Sequence, residues 1–108
     1  MADTLTGKGY LITTTDAAAL TAGGSETITL VGLQISNIHA TTASWVTANI
    51  VRSGGVDSEI AHQVNIPIND SLQLLNGGKL ILNSSDALWL DAENASSLEA
   101  SLSYLVQT

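Results

Sequence analysis

The chain has 108 residues, no cysteine and a formal net charge of -7, because ten acidic residues stand against three basic ones. This length can enclose one hydrophobic core, and the lack of cysteine excludes disulfides and thiolate metal sites. The acidic balance argues against a nucleic acid or an anionic membrane as a partner, since both attract clustered Lys and Arg. The N-terminal stretch MADTLTGKGY lacks the regions of a secretory signal, and no apolar run nears the ~20 residues of a membrane span.

Turn signals rich in Gly, Ser, Asn and Asp recur about every ten residues, and apolar residues alternate with polar ones between them. The alternation predicts strands at 9–15, 26–31, 33–39, 44–52, 58–67, 71–75, 79–82, 86–92 and 98–106. We expect an all-β fold, an antiparallel β-sandwich of about eight short strands with either immunoglobulin-like or jelly-roll topology. Residues 1–108 are expected to form a single β-sandwich domain, with 1–12 as a candidate N-terminal arm.

The segment 13–24, TTTDAAALTAGG, is the one stretch with a helical alternative. Asp16 is of a residue type that caps helices, and Gly23 and Gly24 would end such a helix after about one or two turns. An extended loop fits this segment equally well. Further along the chain, the apolar register slips by one residue at Gly32, which predicts a β-bulge or a sharp bend.

In the segment 58–68 the alternation places His62 in line with apolar residues, so we expect a structural, hydrogen-bonded histidine there. Pro67 lacks a backbone N–H, which indicates that this strand lies at a sheet edge. Asn76 and Gly77 form a dipeptide that favours a tight hairpin between two short apolar strands.

The sequence contains no motif for catalysis or for binding a cofactor. His39 and His62 do not form an HxH or HExxH pattern, and no serine lies in a GxSxG turn. The carboxylates of residues 86–93 lack the spacing of a calcium loop, so a solvated acidic rim is favoured. The paired glycines lack the context of a phosphate loop and indicate turns. We therefore predict no catalytic residue, no cofactor and no metal site, and a protein that is not an enzyme.

Trp45 and Trp89 both fall on the polar side of their predicted strands. Leu88 and Leu90 flank Trp89 and cannot share its face, because the side chains of a strand alternate. Trp is enriched in interface hot spots, so two such residues suggest a contact surface. We expect Trp89 to be mostly exposed in the isolated chain and covered in an assembly. Packing against another part of the same chain and a carbohydrate site built on these tryptophans remain open alternatives.

From about residue 30 onward, short motifs follow one another in a characteristic order. The motifs are NIHATT at 37–42, Ile-Pro at 66–67, SLQLL at 71–75, GGKL at 77–80, DAL at 86–88 and SYL at 103–105. In this order they resemble small virion structural proteins of tailed bacteriophages, marine ones in particular. One departure is Ser85, because such chains often carry Gly before the Asp, and this leaves the type of turn open.

The resemblance implies a β-sandwich virion structural protein, most closely a capsid decoration (cement) protein that binds the outer shell and stabilises capsomer contacts. The implied partners are the major capsid protein of a phage and copies of the chain itself, as a homotrimer, on the outer capsid surface of the virion. Trp89 and Trp45 are the candidate subunit or capsid contacts, and Lys8 and Tyr10 of the GKGY segment are candidates for a strap. The alternatives are a neck, tail or fibre component and a carbohydrate-binding adhesion module.

Overall fold

The computed structural model describes residues 3–39, 41–75 and 78–108. These residues form nine strands, and no helix is found among them that has the length and apolar character needed to cross a membrane. The strands are β1 (Asp3–Leu11), β2 (Ala17–Thr21), β3 (Thr27–Asn37), β4 (Ser44–Val51), β5 (Ser58–Ile66), β6 (Ser71–Gln73), β7 (Leu80–Leu82), β8 (Ala87–Ala92) and β9 (Leu98–Gln107). Neighbouring strands all pair antiparallel, which confirms the predicted all-β sandwich.

The strands form two sheets, and their pairs are nested, which means that each inner pair lies between the two strands of another pair along the chain. Sheet I has the order β1-β9-β3-β6, with β7 also paired to β3, and sheet II has the order β2-β8-β4-β5. The first strand thus pairs with the last, the second with the last but one, and β4 with β5 in the middle of the chain. A ribbon rolled up in this way is a jelly roll, and this order decides between the two topologies that the sequence left open.

The hydrophobic core lies between the inner faces of the two sheets. Along β9, the even-numbered residues from Leu98 to Tyr104 are at most 9% exposed, while the odd-numbered residues between them face solvent. Alternation in the sequence predicts an inner set for this strand that consists of Leu98, Ala100, Leu102, Tyr104 and Val106. The first four are buried, and Val106 is half-buried against the core. Sheet II contributes a matching row of fully buried side chains, which consists of Val46, Ala48, Ile50, Leu88 and Leu90.

β3 carries the β-bulge that the register slip at Gly32 predicted. Its pairing with β9 shifts between Leu30 and Gly32, which leaves Val31 as the extra residue. Leu30 before the bulge and Leu33 after it therefore both point into the core, where they are fully buried. The two strands predicted on either side of the slip are in consequence one strand, which pairs with β7 before the bulge and with β6 after it.

Two predictions for the N-terminal segment are wrong. The first strand runs from Asp3 to Leu11 instead of 9–15, and the segment 13–24 contains strand β2 where a short helix or a loop was expected. Both differences depend on distant partners, because β1 pairs along its whole length with β9 and β2 pairs with β8. These pairings outweigh the high helix propensity of the alanines in β2. Most of the candidate arm thus lies in sheet I as an edge strand.

The prediction that His62 lies on the apolar face is also wrong. Gln63 adopts a φ of 48°, and at this point two residues of β5 stand opposite one residue of β4. The bulge turns the His62 side chain to solvent, where it is 66% exposed, while Ala61 and Ile66 are buried. A bulge interrupts the period of two, so simple alternation misplaces the residues beside it. β5 is an edge strand, as Pro67 predicted.

The predicted hairpin turn at Asn76 and Gly77 lies outside the described residues. The flanking strands β6 and β7 are both antiparallel to β3, so they run in the same direction. A hairpin requires opposite directions, and the predicted pairing of these two strands is therefore wrong. They are two halves of one interrupted edge strand.

Ser85 occupies the turn before β8 with a φ of 70°, in the left-handed region that favours glycine. The virion proteins that this chain resembles often carry Gly at this position. A left-handed backbone is strained for residues other than Gly, while Gly gains more entropy on unfolding. We expect Ser85→Gly to raise the free energy of unfolding by roughly 0.5 to 1 kcal/mol, measured by urea denaturation.

The matched control is Ser101→Gly, at an exposed, extended position of β9. There the same substitution should lower the free energy of unfolding by roughly 0.5 to 1 kcal/mol. A loss at both positions would contradict the strain at Ser85.

Candidate contact surfaces

The outer face of sheet II brings both tryptophans to one surface. Residues that stand opposite each other in an antiparallel pair share a face, and Asn49 of β4 stands opposite Trp89 of β8. In the next row along the sheet, Thr47 stands opposite Asp91. Trp45 lies on the same side of β4, because it is two residues from Thr47. We call these five residues the tryptophan face, and its existence agrees with the polar phase read from the sequence.

Both tryptophans are half-buried, so the expectation that Trp89 is mostly exposed is wrong in degree. Ala18 of β2 and Asn49 of β4 stand on either side of Trp89, and Asn65 of β5 stands opposite Trp45. These residues are the cross-strand neighbours of the two tryptophans on the same face, and part of each tryptophan remains open to solvent.

The two indoles are offset along the sheet. The Glu93 N–H donates to the Trp45 carbonyl, and Glu93 lies four residues after Trp89 in the chain. At the rise of an antiparallel strand, the offset is roughly 14 Å. The rings are therefore too far apart to stack on one monosaccharide, whereas a broad protein surface could cover both.

Asp91 lies between the two tryptophans on this face. Burial raises the pKa of the Asp91 carboxyl, the nearby charge of Asp16 raises it further, and His62 has the opposite, smaller influence. Covering a carboxylate costs free energy unless the covering surface supplies a hydrogen-bond donor or a cation. A partner that seats on the tryptophan face is therefore expected to present such a group to Asp91.

The raised pKa of Asp91 means that its negative charge at neutral pH is less favourable in the folded chain than in the unfolded chain. The stability that this group contributes is fully present below its unfolded pKa and is lost as the pH rises through the folded pKa. We expect Asp91→Asn to raise the free energy of unfolding at pH 7 by up to about 1 kcal/mol, with no gain at pH 3. The control is Glu99→Gln on the outside of sheet I, which should change stability by less than about 0.5 kcal/mol at either pH. A gain from Asp91→Asn that is equal at both pH values would contradict the burial of the charge.

Lys8 and Tyr10 do not join the tryptophan face. The Lys8 ammonium donates to the carbonyl of Ala19 at 2.6 Å, which ties β1 of sheet I to β2 of sheet II. Tyr10 is half-buried and packs against the core. Within the described residues the four predicted contact residues thus lie on two separate parts of the surface.

A second polar cluster lies at Asp86, and the expectation that this residue belongs to a solvated acidic rim is wrong, because its side chain is buried. Its carboxylate accepts hydrogen bonds from Arg52 Nη1 at 2.8 Å, from the Ser53 N–H at 3.0 Å and from the Asn83 N–H at 3.0 Å. These bonds, led by those from Ser53 and Arg52, hold the pKa of the buried Asp86 carboxyl below its usual range. The cluster joins the loop after β4 to the turn before β8. In the sequence, the one sign of this cluster is a charged residue, Asp86, directly before the apolar strand β8.

A cleft of about 380 Å³ opens beside this cluster and is lined by Arg52, Ser53, Gly54, Gly55, Val56, Asn83 and Asp86. Both oxygens of Asp86 are already hydrogen-bonded, so they are not free to coordinate a cation. Asp91, the next carboxylate along the chain, lies on the outer face of sheet II. The carboxylates considered together in the sequence are therefore separated by the fold.

Replacing Asp86 removes hydrogen bonds that hold two loops together. We expect Asp86→Asn to lower the free energy of unfolding at pH 7 by about 2 to 4 kcal/mol. The pKa is depressed in the folded chain, so this stability is present above the unfolded pKa and is lost as the pH falls through the folded pKa. The deficit of the variant should therefore shrink in denaturation curves taken at progressively more acid pH. The control is Asp57→Asn in the exposed loop after β4, where the carboxylate accepts one hydrogen bond, from the Arg52 N–H, and the substitution should cost less than about 1 kcal/mol.

Both histidines have local partners. The ring Nδ1 of His39 accepts the N–H of Thr41 at 3.2 Å, and Nδ1 of His62 lies 3.3 Å from a carboxylate oxygen of Glu59 on the exposed side of β5. Among residues 3–39, 41–75 and 78–108, no three His, Cys, Asp or Glu side chains come together as a metal site would require.

No family model matches this sequence, and no curated protein matches it. Among solved structures, the chain is similar to a chain of the "Acidic stable capsid structure of Helicobacter pylori bacteriophage KHP30". The TM-score is 0.53 at 8% sequence identity, and the match covers 98% of this chain and 87% of that chain. At this low identity the likeness shows a shared fold, which extends over nearly the whole length of both chains.

Proposed function

We propose that this protein is a non-enzymatic structural subunit of a bacteriophage virion. The observation that carries the proposal is the fold shared with a phage capsid chain over 98% of the present chain. The ordered motifs between residues 37 and 105, which resemble virion proteins of tailed and marine phages, support it independently. The surface is also poor in charge, with 12% charged residues in the chain, and such a surface costs little to bury against neighbouring subunits.

Within this class we propose a capsid decoration (cement) protein on the outer surface of the shell. Its partners would be the major capsid protein and further copies of itself, arranged as a homotrimer. A subunit that binds only the assembled shell stabilises the shell by mass action. A trimer repeats each weak contact three times, which raises the avidity for a symmetric lattice of capsomers.

The tryptophan face is the surface that we propose to meet the shell. Its two half-buried indoles keep an open side, and Trp side chains dominate the binding energy of many interfaces. Asp91 between them calls for a donor or a cation in the partner. A basic patch on the shell would satisfy it, and would also attract a chain with a net charge of -7 during encounter.

The test is co-sedimentation of the purified chain with assembled shells of its phage that lack this protein. We expect saturation at many copies per shell, no binding to unassembled capsid protein, and a loss of affinity of at least tenfold in Trp89→Ala and Trp45→Ala. The matched control is Val56→Ala, which truncates a highly exposed apolar residue outside the tryptophan face and should bind as the unchanged chain does.

Absence of retention on shells would contradict the decoration role. Saturation at a few copies per particle would favour a neck, tail or fibre component, because such parts occur in small numbers. If the tryptophan variants bind normally while shells still saturate at many copies, the contact lies on another surface.

A further inference from the structure

The two open sheets end in edge strands, and edge strands expose unpaired N–H and C=O groups to which another strand can bind. Within the described residues, three of these edges are interrupted. β2 has a bulge between Ala18 and Leu20, β5 has a bulge at Gln63, and the far edge of sheet I is split into β6 and β7. Bulges and short strands are the usual means by which proteins prevent edge-to-edge association.

β1 is the exception. It runs for nine residues in one unbroken register with β9, from the pair Asp3–Gln107 to the pair Leu11–Glu99. The Ile12 N–H donates to the Leu98 carbonyl at 3.0 Å and continues this register by one residue. Hydrogen-bonded pairs alternate along an antiparallel ladder, so the even-numbered residues of β1 bond to β9. The odd-numbered residues direct their N–H and C=O groups away from the sheet.

Two of these odd-numbered residues are glycines, although neither the backbone conformation nor the packing within the chain requires glycine there. A Cβ on Gly9 would meet no atom within 4 Å, and a Cβ on Gly7 would approach only the Leu102 carbonyl oxygen, at 3.8 Å. Neither has a left-handed φ. Glycine inside a strand costs about 0.5 to 1 kcal/mol relative to alanine, and it often marks a place where another backbone approaches closely. The glycines therefore point, independently of the open edge, to a strand that docks on β1.

We propose that β1 pairs antiparallel with β1 of a second copy of the chain, about a two-fold axis at Gly7. In this register Leu5, which is 74% exposed, stands opposite Gly9 of the second copy, where no side chain competes for the space. The same complementarity occurs twice because the contact is isologous. The paired edges would form up to about ten backbone hydrogen bonds and one continuous sheet across two chains.

Charge and register both favour a second copy as the occupant. β1 contains one acidic and one basic residue, Asp3 and Lys8, so this edge adds no net charge to the repulsion between two acidic chains. With the axis at Gly7, Lys8 stands opposite Thr6. An axis at Lys8 would set the two lysines opposite each other, and like charges in that position are destabilising. An axis at Thr6 would leave Tyr10 and Leu11 unpaired within β1.

This contact does not rest on the proposed role at the shell. It closes at two chains, so a three-fold contact would use a different surface. Since β1 is at the edge of sheet I and the tryptophan face is the outside of sheet II, one chain has room for both contacts.

The experiment measures the mass of the full chain by analytical ultracentrifugation over a range of concentrations, together with amide hydrogen exchange. We expect association through β1, which gives a dimer if the three-fold contact forms only on the shell and an assembly of linked trimers if it also forms in solution, and in either case the amides of Leu5 and Gly9 exchange slowly. In Gly7→Pro, which removes an outward N–H and leaves the bonds to β9 intact, the dissociation constant should rise at least tenfold and these amides should exchange fast. The amides of Thr6 and Lys8 should stay protected in both proteins, which shows that β1 remains in its sheet.

Gly9→Val is the second variant. Its side chain has open space in its own chain but occupies the place of Leu5 from the second copy, so it should also weaken the dimer at least tenfold. Gly7→Ala keeps the N–H and is the control that should stay dimeric. A chain that is monomeric at all concentrations, or a dimer that survives both Gly7→Pro and Gly9→Val, would overturn the proposal. Protection of Leu5 and Gly9 that arises only with another protein would overturn it as well and identify a different strand as the occupant.

Discussion

The fold depends on the position of β9 between β1 and β3. The even-numbered residues of β9 bond to β1 and turn their side chains into the core, while the odd-numbered ones bond to β3 and face solvent. One strand thus joins the two ends of the chain, from the pair Asp3–Gln107 onward, and also forms the inner wall of sheet I. All the other strand pairs lie inside this outermost pair in the nested order. Such non-local pairing makes folding slow relative to folds built from local contacts.

Three charged side chains, those of Asp86, Lys8 and Asp91, differ in what they contribute to the fold. Asp86 and Lys8 lie near the margins of the sandwich, where a carboxylate collects the donors of two loops and an ammonium joins the edges of the two sheets. Asp91 differs from both, because it lies on an open face with no hydrogen-bond partner in the described chain and its pKa is raised by burial. Acid therefore has opposite effects on the stability that these two carboxylates contribute. Protonation of Asp86 removes stabilising hydrogen bonds, whereas protonation of Asp91 removes an unfavourable charge. Asp91 is therefore a carboxylate to which a partner surface would donate the missing hydrogen bond.

The predictions that succeeded were those that depend on neighbouring residues alone. The inner set of β9, the polar phase of Trp45 and Trp89, and the bulge at Gly32 all follow from alternation, which a strand imposes wherever one face is buried. The predictions that failed were those that depend on a distant strand. β2 exists because β8 pairs with it, and the solvent-facing His62 results from an extra residue opposite β4. Neither the partner strand nor the extra residue leaves a periodic signal in the segment itself.

The sequence by itself determined the fold class, the absence of disulfides, the residues that form most of the core and the face on which each tryptophan lies. These properties are set by residue type and by a period of two, which are both local. Only the tertiary structure decided that the sandwich is a jelly roll, that Asp86 gathers Arg52 and two backbone N–H groups, and that β1 is the one edge without an interruption in the described chain. These properties depend on which strands pair with each other. The pairing is determined by the joint burial of all the inner faces, which no single segment of the sequence specifies.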